Sequence, residues 1–237
     1  MRYRALATDF DGTIAHDGVV PDATLAALER AREAGVQLLL VTGRELPSLF
    51  DTFEHVPIFD RVVAENGALL YTPQTGELRQ LAPEPPAPFV DRLTREGVPL
   101  SIGASIVATV EPYEHRVLEA IRDLGLEWHV IFNKGAVMAL PSGITKATGL
   151  TPALAELGIE AERTIGVGDA ENDHAFLAMC GLRVAVSNAL PALKSSAHIV
   201  TVGARGDGVA ELIERLLSGD LGHPDAPSAP HAYQSRT

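Results

Sequence analysis

Along the chain, short, mainly apolar runs alternate with stretches in which apolar and polar residues are mixed. The runs fall at residues 4–8, 36–41, 61–64, 163–167, 184–186 and 198–202. Runs of this length, bounded by turn residues, predict strands buried on both faces of a sheet. The stretches at 22–34, 45–53, 144–157, 171–180, 190–196 and 207–217 read as helices. Asp22 is placed to cap the first, with Leu25 and Leu28 on one face and Gly35 as its stop. Pro47 suits a first helical turn, and Gly158 ends the helix that precedes it. Residues 68–71 and 77–81 predict a hairpin turned by Pro73-Gln74-Thr75-Gly76. Strands alternating with helices imply an α/β fold, a doubly wound and mostly parallel sheet.

The middle of the chain breaks that alternation. Ala82-Pro83-Glu84-Pro85-Pro86-Ala87-Pro88 is a proline-rich joint. A helix at 89–96, strands at 98–102 and 106–110, a helix at 113–124, and strands at 127–132 and 136–140 follow it. The last two strands flank an Asn133-Lys134-Gly135 turn. Helix–strand–strand twice over predicts a small antiparallel sheet covered by two helices. The expected organisation is a core of residues 1–81 and 141–218 with an inserted α+β unit at 82–140. Residues 219–237 are rich in Pro, Ala, Ser and His, lack periodicity and read as a disordered tail, with His223 and His231 as solvated residues.

Composition narrows the function. Hydrophobic residues make up 46% of the 237, enough for a real core. A formal charge of −12 argues against nucleic-acid binding, which needs a basic surface, but leaves room for a local phosphate pocket. The single cysteine, Cys180, excludes an internal disulfide and reads as a buried small residue. No apolar run approaches the ~20 residues of a membrane helix, and no signal-peptide pattern opens the chain. The expectation is a soluble cytoplasmic protein with no membrane or nucleic-acid partner and an open oligomeric state.

Four polar clusters follow predicted strands or open a helix. In Asp9-Phe10-Asp11-Gly12-Thr13, two carboxylates sit where α/β folds bind ligands, or the string is an ordinary Asp/Gly turn after a strand. One of them can attack while the other holds a proton, and Gly12 permits the tight turn. In Thr42-Gly43-Arg44, a hydroxyl and backbone N–H groups suit a phosphate oxygen, or Thr42 merely caps a helix. In Gly168-Asp169-Ala170-Glu171-Asn172-Asp173, two carboxylates four apart can hold a hard cation such as Mg²⁺, or cap a helix. Lys146 opens a helix, where a cation is disfavoured unless it faces an anion, or it is a solvated surface lysine.

In order and context these clusters resemble the four motifs of the haloacid dehalogenase superfamily, and specifically its Cof-like phosphatases. Glu65-Asn66-Gly67-Ala68 resembles that group's ENGA segment. Asn188-Ala189, Lys194, Ala197, Val200-Thr201 and Asp207-Gly208-Val209 resemble its C-terminal signature. The departures are Ala147 and Ser187, where the group commonly has glycine. The near-minimal insertion is similar to the cap of archaeal-type phosphoglycolate phosphatases.

The resemblance implies a Rossmann-like core and a small phosphorylated metabolite as substrate. It implies Asp9 as nucleophile and Asp11 as general acid/base, with an aspartyl-phosphate intermediate. Thr42, Gly43, Lys146, Asn172 and Asn188 would bind phosphate. Mg²⁺ would be held by Asp9, the Asp11 carbonyl and Asp169, with Asp173 orienting its shell or binding through water. Lys134 is a candidate for contacting the rest of the substrate, or an exposed hairpin lysine. A phosphomutase would use the same core. A phospho-aspartate signalling domain fits poorly with an acid/base beside the nucleophile, an idle binding protein fits poorly with a complete polar set, and a dehalogenase would give Asp11 no alkoxide to protonate.

Overall fold

The computed structural model describes residues 2–133 and 135–221. Lys134 and residues 222–237, including His223 and His231, lie outside the described residues.

The first half builds β1 (Ala5–Thr8), α1 (Asp22–Glu33), β2 (Gln37–Val41), α2 (Leu46–Thr52), β3 (Arg61–Ala64), β4 (Leu69–Thr72) and β5 (Glu77–Gln80). The middle holds α3 (Ala87–Arg95), β6 (Ser101–Ile102), β7 (Val107–Val110), α4 (Glu114–Asp123), β8 (Trp128–Asn133) and β9 (Ala136–Pro141). The last part adds α5 (Lys146–Leu157), β10 (Thr164–Gly168), α6 (His174–Met179), β11 (Leu182–Ala185), α7 (Pro191–Ser196), β12 (Ile199–Val200) and α8 (Arg205–Ser218).

Eight strands form the larger sheet in the order β12-β11-β10-β1-β2-β3-β4-β5. Pairing is parallel from β12 to β3 and antiparallel for β4 and β5. Both β1 and β10 are buried along their whole length, as their apolar runs require. Strand order reverses at β1: β2 and β3 lie to one side, β10 to β12 to the other. Ligands of open α/β sheets bind at such a switch point, outside the carboxyl ends of the strands.

The second sheet is antiparallel, in the order β6-β7-β9-β8. Alternation along its strands sorts the side chains. Val107, Val137 and Ala139 pack under Phe89 and Leu93 of α3 and Val117, Ala120 and Ile121 of α4. Ile106, Met138 and Leu140 face the other way, onto Ala68 and Ala82. The bare face of this sheet is therefore turned toward the larger one.

Several boundaries move, each for a local reason. Pro21, not Asp22, is the N-cap of α1, and Asp22 sits in the first turn, where its charge suits the helix dipole. Helix α5 starts at Lys146 because Thr145 and Thr148 form a reciprocal capping box. The helix expected over 171–180 divides into a 3-10 turn, Glu171–Asp173, and α6. Only Ser101–Ile102 of the strand expected over 98–102 pairs. Helix α8 begins two residues early, at Arg205. The chain also stays ordered past 218: Gly219 caps α8 at φ 78°, and Leu221 is buried in the core. No helix among the described residues is long and apolar enough to cross a membrane.

Candidate active site

Three loops leave the carboxyl ends of adjacent parallel strands and converge. Asp9 follows β1, Thr42 follows β2 and Asp169 follows β10. Lys146 reaches in from the first residue of α5. Its side chain is 1% exposed, and Nζ donates to Asp9 Oδ1 at 2.5 Å and to Asp173 Oδ1 at 2.6 Å. The cation that disfavours a helix start is thus satisfied by two carboxylates. Burial works to lower the Lys146 pKa, but Asp173 and Asp9 outweigh it and the net direction is up. Burial raises the Asp9 carboxyl to about 7, with Lys146 opposing and Asp173 and Asp169 adding to it.

Asp173 organises its own loop. Its Oδ2 accepts the N–H groups of Asp169 at 2.8 Å and Ala170 at 2.9 Å. A Cβ on Gly168 would stand 2.5 Å from that oxygen, so the turn needs glycine there. The Thr13 hydroxyl lies 3.2 Å from both Asp9 Oδ2 and Asp169 Oδ1. Ligand oxygens of Asp9, Asp169 and Asp173 all lie within 4.8 Å of one another, and all three residues are buried. Three carboxylates face one ammonium, and every donor is a hard oxygen. That set fits a small divalent cation, which would offset both the burial and the neighbouring carboxylates that raise Asp9.

Asp11 points elsewhere. Its carboxylate takes a bidentate pair from Arg44, with Nε and Nη2 each at 2.7 Å. The guanidinium also lies over the Phe10 ring at 5.2 Å. Thr42 is fully buried and accepts the Arg44 N–H at 3.1 Å, which leaves its hydroxyl proton to donate. Gly43 lies against Asn66, whose amide a Cβ there would approach to 3.1 Å. Asn172 Nδ2 donates to Asn66 Oδ1 at 2.9 Å, and Asn172 Oδ1 is buried with no hydrogen-bond partner among the described residues. The Asn188 amide is committed at both ends, donating to the Gly12 carbonyl at 2.8 Å and accepting the Arg205 N–H at 2.7 Å. It also lies 3.5 Å from Asp169 Oδ2.

A cavity of about 430 Å³ opens between β8 and these loops, lined among others by His129, Ile131, Phe132, Lys146, Glu171 and His174. A hollow of similar size between α1 and residues 54–58 lies at the opposite ends of the strands, away from the carboxylates.

The structure brings together Asp9, Lys146, Asp169 and Asp173, with Thr42, Gly43 and Asn172 on the same rim. It directs the Asp11 carboxylate to Arg44 and the Asn188 amide to the backbone. Thr13, Arg44, Glu65 and Asn66 are added to the sequence-derived set. All four stand inside segments already singled out, Thr13 and Arg44 in the strand-end clusters and Glu65 and Asn66 in the Glu65–Ala68 segment, which is the signal that marks them.

These strand-end carboxylates and the buried lysine define a class. A family model described as haloacid dehalogenase-like hydrolase matches residues 6–101 and 109–213, and the chain belongs to that family. Within it the chain is a Cof-like phosphatase, a hydrolase of phosphoric monoesters. A phosphoglycolate phosphatase of Methanothermobacter thermautotrophicus is 34% identical over 90% of this chain and 99% of its own. One from Pyrobaculum aerophilum is 30% identical over 92% and 98%. A haloacid dehalogenase-like hydrolase from Bacteroides thetaiotaomicron shares the fold at a TM-score of 0.76, covering 90% of this chain and 99% of that one at 20% identity.

Proposed function

We propose that this phosphatase is Mg²⁺-dependent, passes through an aspartyl-phosphate on Asp9, and acts on a small phosphomonoester. The substrate class is a sugar phosphate or a phosphorylated organic acid such as phosphoglycolate, the substrate for which the archaeal relatives are named. The observation that carries this reading is the buried Lys146–Asp9 pair at the switch point, with Asp169 beside it.

In the first step Asp9 attacks phosphorus in line, and Asp11 protonates the departing alcohol. In the second, ionised Asp11 takes a proton from water, which hydrolyses the aspartyl-phosphate. Both roles require the Asp11 carboxyl to leave its Arg44 pair and turn toward the phosphoryl group. Thr42, the Gly43 N–H, Lys146 and Asn172 hold the phosphoryl oxygens, because phosphoryl transfer depends mainly on positioning and charge. Mg²⁺, held by Asp9, Asp169 and the Asp11 carbonyl, would supply further charge neutralisation. Asp173 orients Lys146 and the acidic loop, and Asn188 holds that loop in place of touching phosphate. Residues 82–140 act as a cap that selects the leaving group, with Lys134 one candidate contact.

A panel of phosphorylated metabolites assayed for phosphate release with Mg²⁺ tests the reading. Asp9→Asn should abolish turnover with the fold intact, and chelation should do the same to the wild type. Turnover by a purified Asp9→Asn protein, or full activity in excess chelator, would refute it. Asp11→Asn should cost ~10²–10⁴-fold, and less for phosphorylation by an aryl ester, whose leaving group needs little protonation. Equal losses for aryl and alkyl esters would remove Asp11 as the acid.

A further inference from the structure

The 3-10 turn Glu65–Gly67 follows β3 directly. All three residues have left-handed backbones, with φ of 51°, 52° and 106°. For glutamate and asparagine that conformation costs on the order of 1 kcal/mol or more each, and it persists only where its surroundings impose it. Here the Glu65 and Asn66 N–H groups donate to the carbonyls of Arg44 and Thr42, each at 3.0 Å. The turn therefore hangs from the loop that carries Thr42 and Gly43.

Its side chains reach three other elements. The Glu65 carboxylate, 1% exposed, accepts the N–H groups of Ala104 at 2.9 Å and Ser105 at 2.8 Å, in the loop between β6 and β7. A Cβ on Gly103 would stand 2.5 Å from Glu65 Oε1, so the approach depends on that glycine. The fully buried Asn66 amide donates to Met138 Sδ on β9 at 3.2 Å and accepts from Asn172, beside Asp173, at 2.9 Å. Gly67 rests on α5, where a Cβ would collide with the Thr145 carbonyl. Successive backbone N–H groups make an anion-binding nest, and at Ala104 and Ser105 the protein fills that nest with its own carboxylate.

We propose that Glu65 and Asn66 are positioning residues: the Glu65 carboxylate docks the 103–105 loop over the strand ends, and the Asn66 amide ties Asn172 and the acidic loop to that docked state. The proposal rests on the phosphatase reading above and adds how the cap and the phosphate site are brought into register. A bidentate polar contact sets geometry and can still release, unlike the apolar packing around it.

The test uses the full chain. Glu65→Gln turns one acceptor into a donor facing an N–H. Gly103→Ala displaces the loop while leaving Glu65 intact. Each should lower kcat/KM for a small alkyl phosphate by about 10-fold or more and speed hydrogen exchange at Ala104 and Ser105. Both break one contact, so the double variant should be no worse than the more severe single. Losses that multiply, or wild-type exchange in both singles, would overturn the docking. Asn66→Gly keeps the left-handed turn and removes only the amide. It should lose kcat/KM comparably while Ala104 and Ser105 stay protected, and wild-type kinetics would overturn the tie to Asn172. Melting temperatures identify any variant that fails to fold, and Gly103→Ala then carries the docking test alone. If the wild type releases phosphate from no ester with Mg²⁺, the phosphatase reading fails instead, and exchange at 104 and 105 still decides the docking.

Discussion

Asp9 is a buried carboxyl held between one ammonium and two further carboxylates. Its carboxyl, ordinarily at 3.8, is raised to about 7 by burial, against the pull of Lys146 and with the push of Asp173 and Asp169. Between those values the folded chain binds a proton that the unfolded chain has released. Stability is therefore greatest at the acid end of that window and falls as pH rises through it. Glu65, raised chiefly by burial, adds to the same slope. Lys146 has the opposite placement: its stabilisation holds at neutral pH and is lost only at strongly alkaline pH. In excess chelator, the melting temperature should fall between about pH 4 and about pH 7. Saturating Mg²⁺ should shrink that fall, because the cation takes the place of the proton. A flat profile in chelator would show that Asp9 does not hold its proton.

At the scale of one element, α5 shows how packing overrides propensity. Its capping box and left-handed Gly158 are local signals, and both define its ends. Gly149, in its interior, runs against helix propensity, and alanine there ought to stabilise by roughly 1 kcal/mol. The tertiary structure reverses that sign. A Cβ on Gly149 would stand 2.5 Å from both Gly67 Cα and Val63 Cγ1, and 2.9 Å from the Gly67 carbonyl. Backbone cannot yield as a flexible side chain can. Gly149→Ala should destabilise by about 1–3 kcal/mol in urea unfolding and lower kcat, since it pushes the helix bearing Lys146 away from Asp9. A more stable Gly149→Ala protein would mean that α5 and the Glu65–Gly67 turn are not in contact.

Over the whole molecule, the charge of −12 opposes a dianionic ester until it reaches the strand ends. That long-range repulsion is screened as the Debye length shortens from about 30 Å at 0.01 M salt to about 8 Å at 0.15 M. KM for a phosphomonoester should therefore fall across that range while kcat changes less. A rising KM would show that the local field of Lys146 and Arg44 dominates the approach. The two sheets divide the work at the same scale. The larger carries Asp9, Asp169 and Asp173 at its strand ends, with Lys146 beside them, and the smaller turns a face with His129 and Ile131 toward the cavity.

The sequence by itself determined the alternation of buried strands and helices, and hence the α/β class and a carboxylate-bearing loop at a strand end. It also marked Asp9, Lys146, Asp169 and Asp173, because carboxylates recur beside mainly apolar runs and a lysine opens a helix, where a cation is disfavoured. These signals are local, and local sequence carries periodicity, turn chemistry and anomalous charge. Tertiary structure decided what depends on distance between remote positions. Asp11 and Arg44 are 33 residues apart and form a bidentate pair. Asn188 reaches back 176 residues to Gly12. Glu65 accepts N–H groups from a loop 39 and 40 residues away. None of these partners is implied by spacing along the chain, since each arises only when β1, β2, β3, β10 and β11 take their places in one sheet and the smaller sheet folds back over their ends.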